Sequence, residues 1–339
     1  MRATKNRVAK NNSTQSSATK GSRAGRAGER GVALLAAILV VALLVALVLP
    51  FNQRARVDVA LAANVRDELK ALYVAQSALN LALAAVRADT TPEGDGQADT
   101  WAGFRAYAAG SRALFAEGSF EGDILDEDAK MNINTVVDDS GQVDEAHAKQ
   151  LKRLCDALGL DQAQYDAVMD WLDGDADTRP MGAEADWYQE QGKEAPRNSQ
   201  LKSLTELLKV KGITEEAFLG KEGKPGLKDV LTVSGDGKVN LNTASAEVIA
   251  SLSDNLDLGM ATKLVEARTG KTYEKLDDIT ADVPGFRTDV ISDIEPLVTL
   301  KSTAFSVEIM ATCNEARKGL SAEVRRAGSQ VGVTRMRLL

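Results

Sequence analysis

From Val32 to Leu49 the chain runs eighteen uncharged, almost wholly apolar residues without a break, starting one residue after Gly31. At about 1.5 Å of rise per helical residue, such a run just spans or deeply enters a bilayer. No water-facing surface tolerates it. Ahead of it stand Arg2, Lys5, Arg7, Lys10, Lys20, Arg23, Arg26 and Arg30, against the single acid Glu29. An excess of Lys and Arg on one flank keeps that flank in the cytoplasm. The expected product is a single-pass membrane protein, with everything after Pro50 exported from the cytoplasm.

Three readings of the segment compete. A secretory signal needs small residues at a cleavage site after the apolar run, but the chain continues Leu49-Pro50-Phe51-Asn52. A plain uncleaved anchor satisfies the run alone. The third reading uses the junction Arg30-Gly31-Val32-Ala33-Leu34-Leu35-Ala36, which resembles a type IV prepilin-like leader. There a peptidase cuts on the cytoplasmic side, between a glycine and the apolar run. On this reading residues 1–31 are the leader, and Gly31 and Val32 are the processing residues. Most pilin-like subunits carry a glutamate five residues into the mature chain, where this sequence has Ala36.

The net charge of −8 hides an asymmetry: the first 30 residues hold eight basic groups and one acid, leaving 33 basic and 48 acidic groups for the remainder. An exported part that acidic repels nucleic acid and has carboxylates to spare for cations. Aromatic residues are only 4%, so its cores must rest on Leu, Val, Ile and Ala. Cys155 and Cys313 can pair in an oxidising compartment; buried free thiols are the alternative that the residue type favours. The one histidine, His147, provides neither a zinc set nor, without a nucleophile motif nearby, a Ser-His-acid triad. Gly-rich phosphate loops are absent from the sequence. These residues predict a non-enzymatic protein.

Beyond the membrane segment (32–49), the stretch 50–89 reads as a stem helix. Val65, Leu69, Leu72, Gln76, Leu79, Leu83 and Val86 recur in alternating steps of four and three. The stripe suits packing on the protein's own sheet or on other subunits. Pro50 and Asn52 predict a kink or break before it. Thr90–Gln97 is a loop by composition, and a short helix is expected around Trp101–Ala109. Strand patterns occupy Ser119–Leu125, Lys130–Asn134, Ala304–Thr312, Leu320–Arg326 and Gln330–Leu338, with turns at Asn314–Gly319 and Ala327–Gly328. Residues 90–135 and 301–339 are therefore expected to form one β domain, since strands this short make no stable sheet apart. The intervening part reads helical and contains a repeat. Lys130-Met131-Asn132-Ile133-Asn134-Thr135 returns as Lys238-Val239-Asn240-Leu241-Asn242-Thr243. Two related helical subdomains, 136–230 and 231–300, are the natural division.

Two stretches of the insertion suggest chemistry. From Asp170 to Tyr188 the chain is acidic: Asp173, Asp175 and Asp177 alternate, and Glu184 stands eleven residues after Asp173. Calcium takes six to eight oxygens, and this is EF-hand spacing, although Thr178 replaces the usual glycine and Pro180 lies inside. Clustered carboxylates repel one another unless solvated or neutralised by a cation. Trp171, Trp187 and Tyr188 are expected to pack around the loop. The second stretch, Asn240–Ile249 followed by Leu258–Arg268, resembles a helix-hairpin-helix module, whose hairpin amides bind DNA phosphate. Its turn, Asp257-Leu258-Gly259, has one glycine and lies beside Asp254, so the electrostatics oppose DNA. A membrane-anchored DNA-binding protein of an uptake apparatus is the rival reading, and a protein-packing scaffold without nucleic acid is preferred.

Taken in order, these pieces resemble the minor pseudopilin K family of type II (general) secretion systems. The carriers are the Gly31 junction with Ala36; Asp126–Thr135; Asp170–Asp173 through Gly182-Ala183-Glu184 to Tyr188; and Ser203–Gly212 followed by Asn240–Ser245. The resemblance implies an α+β fold: a pilin-like long N-terminal α-helix packed on a small antiparallel β-sheet, with a large α-helical insertion of two SAM-like, helix-hairpin-helix-like subdomains. It implies Ca2+ held by Asp173, Asp175 and Glu184, with Asp177 and Asp186 as further candidates, and a second calcium site without assigned residues. Its implied partners are the minor pseudopilins I and J, then the major pseudopilin, the secretin and the inner-membrane platform. It also implies methylation of Val32 after cleavage. The implied role is at the tip of a pseudopilus, starting and capping its assembly for export of folded proteins. In pilin-like filaments the fifth-residue glutamate neutralises the amino terminus of the subunit assembled before it, and an unpaired charge in lipid is costly. A subunit with Ala36 has no such neighbour to seek, which suits the first position.

Overall fold

The computed structural model describes residues 25–88, 93–221 and 223–339, with side chains from residue 31 onward. The basic leader up to residue 24 and part of the loop read over Thr90–Gln97 lie outside the described residues. The chain divides into two compact units, Met1–Asn64 and Val65–Leu339.

Helix α1 spans Gly25–Arg87 and carries Pro50 within it. Of the kink or break expected at Pro50 and Asn52, the break is corrected: one missing N–H removes a single helical hydrogen bond, and the turns on both sides keep the helix going. Every residue from Val32 to Leu49 is exposed, and this helix is long and apolar enough to cross a membrane. In the second unit, α1 buries Ala71, Ala75, Ala78 and Ala82 completely, together with Val74, Leu79 and Val86. The expected stripe divides along its length. Val65, Leu69 and Gln76 are exposed, whereas Leu79 and Val86 are buried. The small alanines carry the contact because they let a helix approach a sheet closely, which a count of large aliphatic residues misses.

Eight strands follow among the described residues: β1 (Ser119–Asp126), β2 (Met131–Asn132), β3 (Leu231–Thr232), β4 (Val239–Asn240), β5 (Val298–Thr299), β6 (Ala304–Cys313), β7 (Ala316–Ala327) and β8 (Gln330–Leu338). The main sheet is antiparallel in the order β1-β6-β7-β8. Its inner face, with Phe120, Ile124, Phe305, Val307, Ile309, Leu320, Ala322 and Val324, packs with α1 and with α2 (Phe104–Ala109). Alternation at period two sends Glu121, Glu308 and Arg325 to the exposed face. The expectation of a strand over Lys130–Asn134 within this sheet is corrected. Only Met131–Asn132 is extended, and it pairs in parallel with β3 inside the insertion. Met131 and Ile133 are fully buried in the insertion's own core, which decides where they belong.

The insertion lies between the neighbouring strands β1 and β6. Its first module contains α3 (Glu145–Leu158), α4 (Gln162–Leu172), α5 (Ala185–Glu190), α6 (Glu215–Leu219) and α7 (Leu227–Val230); its second has α8 (Ala246–Ala250), α9 (Leu258–Ala267), α10 (Leu276–Asp282) and α11 (Thr288–Ile294). Local chemistry sets the ends. Asp144 caps α3, which stops at left-handed Gly159, and Asp161 with Gln164 forms the capping box of α4. The repeated hexapeptide has the same job twice. Asn132 Oδ1 accepts from Asn134 N, and Asn240 Oδ1 accepts from Asn242 N. Asn134 then exchanges two hydrogen bonds with the Leu201 backbone, as Asn242 does with Tyr273. Each amide side chain thus satisfies a distant loop that no strand reaches. The two short parallel pairs, β2 with β3 and β4 with β5, close the two modules.

A buried polar node ties the second module to the main sheet. Asp126 Oδ2 accepts from Asn240 Nδ2 (3.1 Å), Thr243 Oγ1 (2.5 Å) and Ser302 Oγ (2.6 Å). Asp128 Oδ2 accepts from Thr303 N (2.6 Å), Thr303 Oγ1 (3.0 Å) and Ala304 N (3.2 Å). Burial pushes the Asp128 carboxyl up to about 7, against the bonds from Thr303 and with help from the Asp126 charge. The folded chain thus holds this proton more tightly than the unfolded chain. The stabilisation is complete below the ordinary carboxylate range and is lost as pH rises through about 7. Melting curves in calcium should show the wild type losing stability relative to Asp128→Asn between about pH 4 and pH 7. A pH-independent difference between the two proteins is the contrary result.

Candidate metal centre

The acidic loop begins where α4 ends. Asp170 and Asp173 sit in its last turn and at its C-cap, where the helix dipole is negative and carboxylates are least welcome. Both are nonetheless buried, Asp170 at 0% and Asp173 at 1% exposure, and Glu184, the residue before α5, is 7% exposed. The loop returns over α4 through backbone bonds. Arg179 N donates to Asp170 Oδ2 (3.2 Å), and Met181 N donates to Asp166 Oδ2 (3.2 Å). Gly182 is required here, since a Cβ would collide with Asp170 Oδ2. Gly141 is required as well: its φ is +82°, and a Cβ there would stand 2.6 Å from Gly174 Cα. Trp171 and Tyr188 meet edge to face at 5.2 Å, and Trp187 meets Tyr188 at 4.9 Å, which matches the expected aromatic wall.

Asp173, Asp175 and Glu184 each turn one carboxylate oxygen toward a common point, with these oxygens within 4.8 Å of one another. Of the other two candidates, Asp177 is exposed and uses its N–H in a turn on Asp175 Oδ1 (2.9 Å), and Asp186 is exposed in the first turn of α5. Neither belongs to the convergent group. The fit to a hard cation rests on two atoms: Asp173 Oδ1 and Glu184 Oε1 are buried and have no hydrogen-bond partner among the described residues. A buried carboxylate oxygen left unpaired is costly, so these two oxygens call for a positive partner. Burial, with the charges of Asp170 and Asp173, pushes Glu184 up to about 7; burial also raises Asp173. All-oxygen donors suit calcium better than a soft metal.

Sequence reasoning missed two contributors. Arg179 is the one base between Asp170 and Tyr188, and its guanidinium bridges Asp170 (2.7 Å) and Asp173. A lone base inside an acidic run was the available signal. Asn198, in a left-handed conformation, donates to the Asp175 carbonyl at 2.5 Å; its distance in sequence gave no hint.

The helix-hairpin stretch has no phosphate cradle of the expected kind. Asp257 caps α9 through Met260 N at 2.7 Å, so a carboxylate occupies the place an anion would take. Arg153 grips Asp254, and Arg268 turns inward to the carbonyls of Leu241 and Ala244, both at 2.5 Å. At the other end of the chain, Gly31, Val32 and Ala36 all lie exposed on α1. Cys155 and Cys313 are buried and free.

Residues 129–220 match a family model described as type II secretion system (T2SS), protein K, and residues 239–301 match a second model of the same description. Both matches begin next to the two copies of the repeat. The chain is 28% identical over 270 residues to type II secretion system protein K of Pseudomonas aeruginosa, covering 75% of this chain and 77% of that one. To the Klebsiella pneumoniae protein of the same name it is 25% identical over 326 residues, covering 91% and 96%. Its fold resembles a chain in the crystal structure of the GspK-GspI-GspJ complex from the enterotoxigenic Escherichia coli type 2 secretion system, with TM-score 0.66 and 17% identity over 82% of this chain and 98% of that one.

Proposed function

The chain belongs to the type II secretion system protein K family, and on that premise we propose that this minor pseudopilin forms the tip of the pseudopilus. The observation that carries the proposal is Ala36, an uncharged residue on an exposed face of α1, five places after Gly31. A subunit without a carboxylate there has nothing to dock beneath an earlier arrival, so it starts the filament. The insertion between β1 and β6 supports the same place, since a bulk of that size suits an end better than a packed shaft. Prepilin peptidase cuts between Gly31 and Val32, and the new amino group of Val32 is methylated. The part after the membrane segment lies in the periplasm. There it joins the minor pseudopilins I and J and caps a fibre that moves folded cargo outward.

Asp173, Asp175 and Glu184 hold a calcium ion, with the unpartnered oxygens of Asp173 and Glu184 as its deepest donors. The ion supplies the positive charge that lets the loop close over α4. Co-expression of the full-length protein with its I and J counterparts is the test. A three-way complex should leave the membrane together, with a mature chain starting at methylated Val32, and labelled protein should decorate one end of each fibre. Label along the whole length, or a chain that keeps its basic leader, overturns the reading.

A further inference from the structure

We propose that Arg179 is a positioning residue of the cation site: by holding one carboxylate oxygen of Asp173 together with Asp170, it aims the other oxygen of Asp173 at the point shared with Asp175 and Glu184. This rests on the calcium reading of the loop. Asp173 has two oxygens with separate fates. Oδ2 is bound by Arg179 Nη1, and Oδ1 is buried with no hydrogen-bond partner among the described residues. The same Nη1 reaches Asp170 Oδ1 at 2.7 Å, and the Arg179 backbone N–H reaches Asp170 Oδ2 at 3.2 Å. Asp170 is thereby fixed, and through the shared guanidinium it fixes the rotation of the Asp173 carboxylate.

The arrangement also decides charge. Asp170, Asp173, Asp175 and Glu184 bring four negative groups to one helix end. A single guanidinium cannot balance four carboxylates, but it removes Asp170 from competition for the cation and leaves three convergent donors. Both bonds come from Nη1, whose N–H directions are fixed by the planar guanidinium; a lysine ammonium rotates freely on a flexible stem and fixes no angle between the two carboxylates.

Two opposite results are possible on removing Arg179. If it were only a competing positive charge, calcium would bind more tightly without it. If it positions Asp173, calcium binds more weakly, by the about 10- to 100-fold typical of supporting contacts around a metal. The experiment uses the full-length protein in detergent, stripped with chelator and titrated calorimetrically with calcium, for wild type, Arg179→Lys and Arg179→Gln. Terbium, sensitised by the neighbouring tryptophans, gives a second readout: its luminescence lifetimes in light and heavy water count coordinated waters. The expected result is weaker calcium binding in both variants and an extra water on terbium, with Arg179→Lys melting near the wild type in chelator. Unchanged or tighter binding in Arg179→Lys overturns the proposal while leaving the calcium site standing. Absence of calcium binding by the wild type removes the calcium reading itself.

Discussion

Chelation of calcium is expected to lower the melting temperature of the wild-type protein by roughly 5–10 °C, and Asp173→Ala with Glu184→Ala is expected to abolish that difference. The size follows from linkage. A ligand at one hundred times its dissociation constant adds about 2.7 kcal/mol to the folded state. For a folded unit of this size each kcal/mol moves the midpoint by about 2–4 °C. The direction in chelator is the sharper part. There the two carboxylates are buried, repel each other and Asp170, and leave Asp173 Oδ1 and Glu184 Oε1 without hydrogen-bond partners among the described residues. Removing them costs little packing and relieves repulsion, so the double variant should melt near the wild type in chelator and well below it in calcium. Scanning calorimetry in the two buffers measures this. Equal losses in both buffers mean that the carboxylates act structurally and that no cation is involved.

Arg326→Ala is expected to cost about 3–5 kcal/mol, the range for breaking a buried ion pair from one side. Arg326 is on β7, its side chain is 6% exposed, and it pairs with Asp95, whose side chain is fully buried. It also donates to the Ser302 carbonyl at 2.6 Å and lies over the Phe305 ring at 5.3 Å. Asp95 Oδ2 in turn accepts from Ser302 N at 2.7 Å, and the Asp95 carbonyl accepts from Asn240 Nδ2 at 3.1 Å. The pair therefore sits between the main sheet and the second helical module. Truncating the arginine strips a fully buried carboxylate of its guanidinium in a medium of low dielectric. Asp95→Asn in the same background should recover part of the loss, because the stranded charge is then gone. Denaturant unfolding of the two single variants and the double variant gives the coupling. Simple additivity would show that the pair contributes only packing.

Local patterns were legible without coordinates where the physics is local. An unbroken apolar run has few options besides lipid, so α1 could be read from Val32 to Leu49. Alternation at period two placed β8 at Gln330–Leu338 and the core of β6 within a residue of its observed end. Spacing marked Asp173, Asp175, Asp177 and Glu184 as one cluster, and the family resemblance singled out Asp173, Asp175 and Glu184, the three whose carboxylate oxygens converge. The observed helix starts at Asp144, Asp161 and Asp257 rest on capping chemistry of equally short range, acting over three residues.

What depended on partners far away in the chain could not be read this way. Lys130–Asn134 looked like a strand of the main sheet, but Met131 and Ile133 had a second, larger core to enter, and burial there outweighed pairing beside β1. The repeated hexapeptide was visible as a repeat, yet the loops at Leu201 and Tyr273 that its asparagines satisfy were not, since nothing in a hexapeptide names a partner tens of residues on.

The sequence by itself determined a long apolar helix, a C-terminal set of antiparallel strands, a duplicated helical middle and a loop of clustered carboxylates. Each of these is written in periodicity or in short-range hydrogen bonding. Only the tertiary structure decided which face of the stem is buried, that Pro50 is carried within the helix, and that Arg179 and Asp170 stand behind Asp173. Those outcomes depend on close approach and on the pairing of buried charge, which are set when distant segments meet.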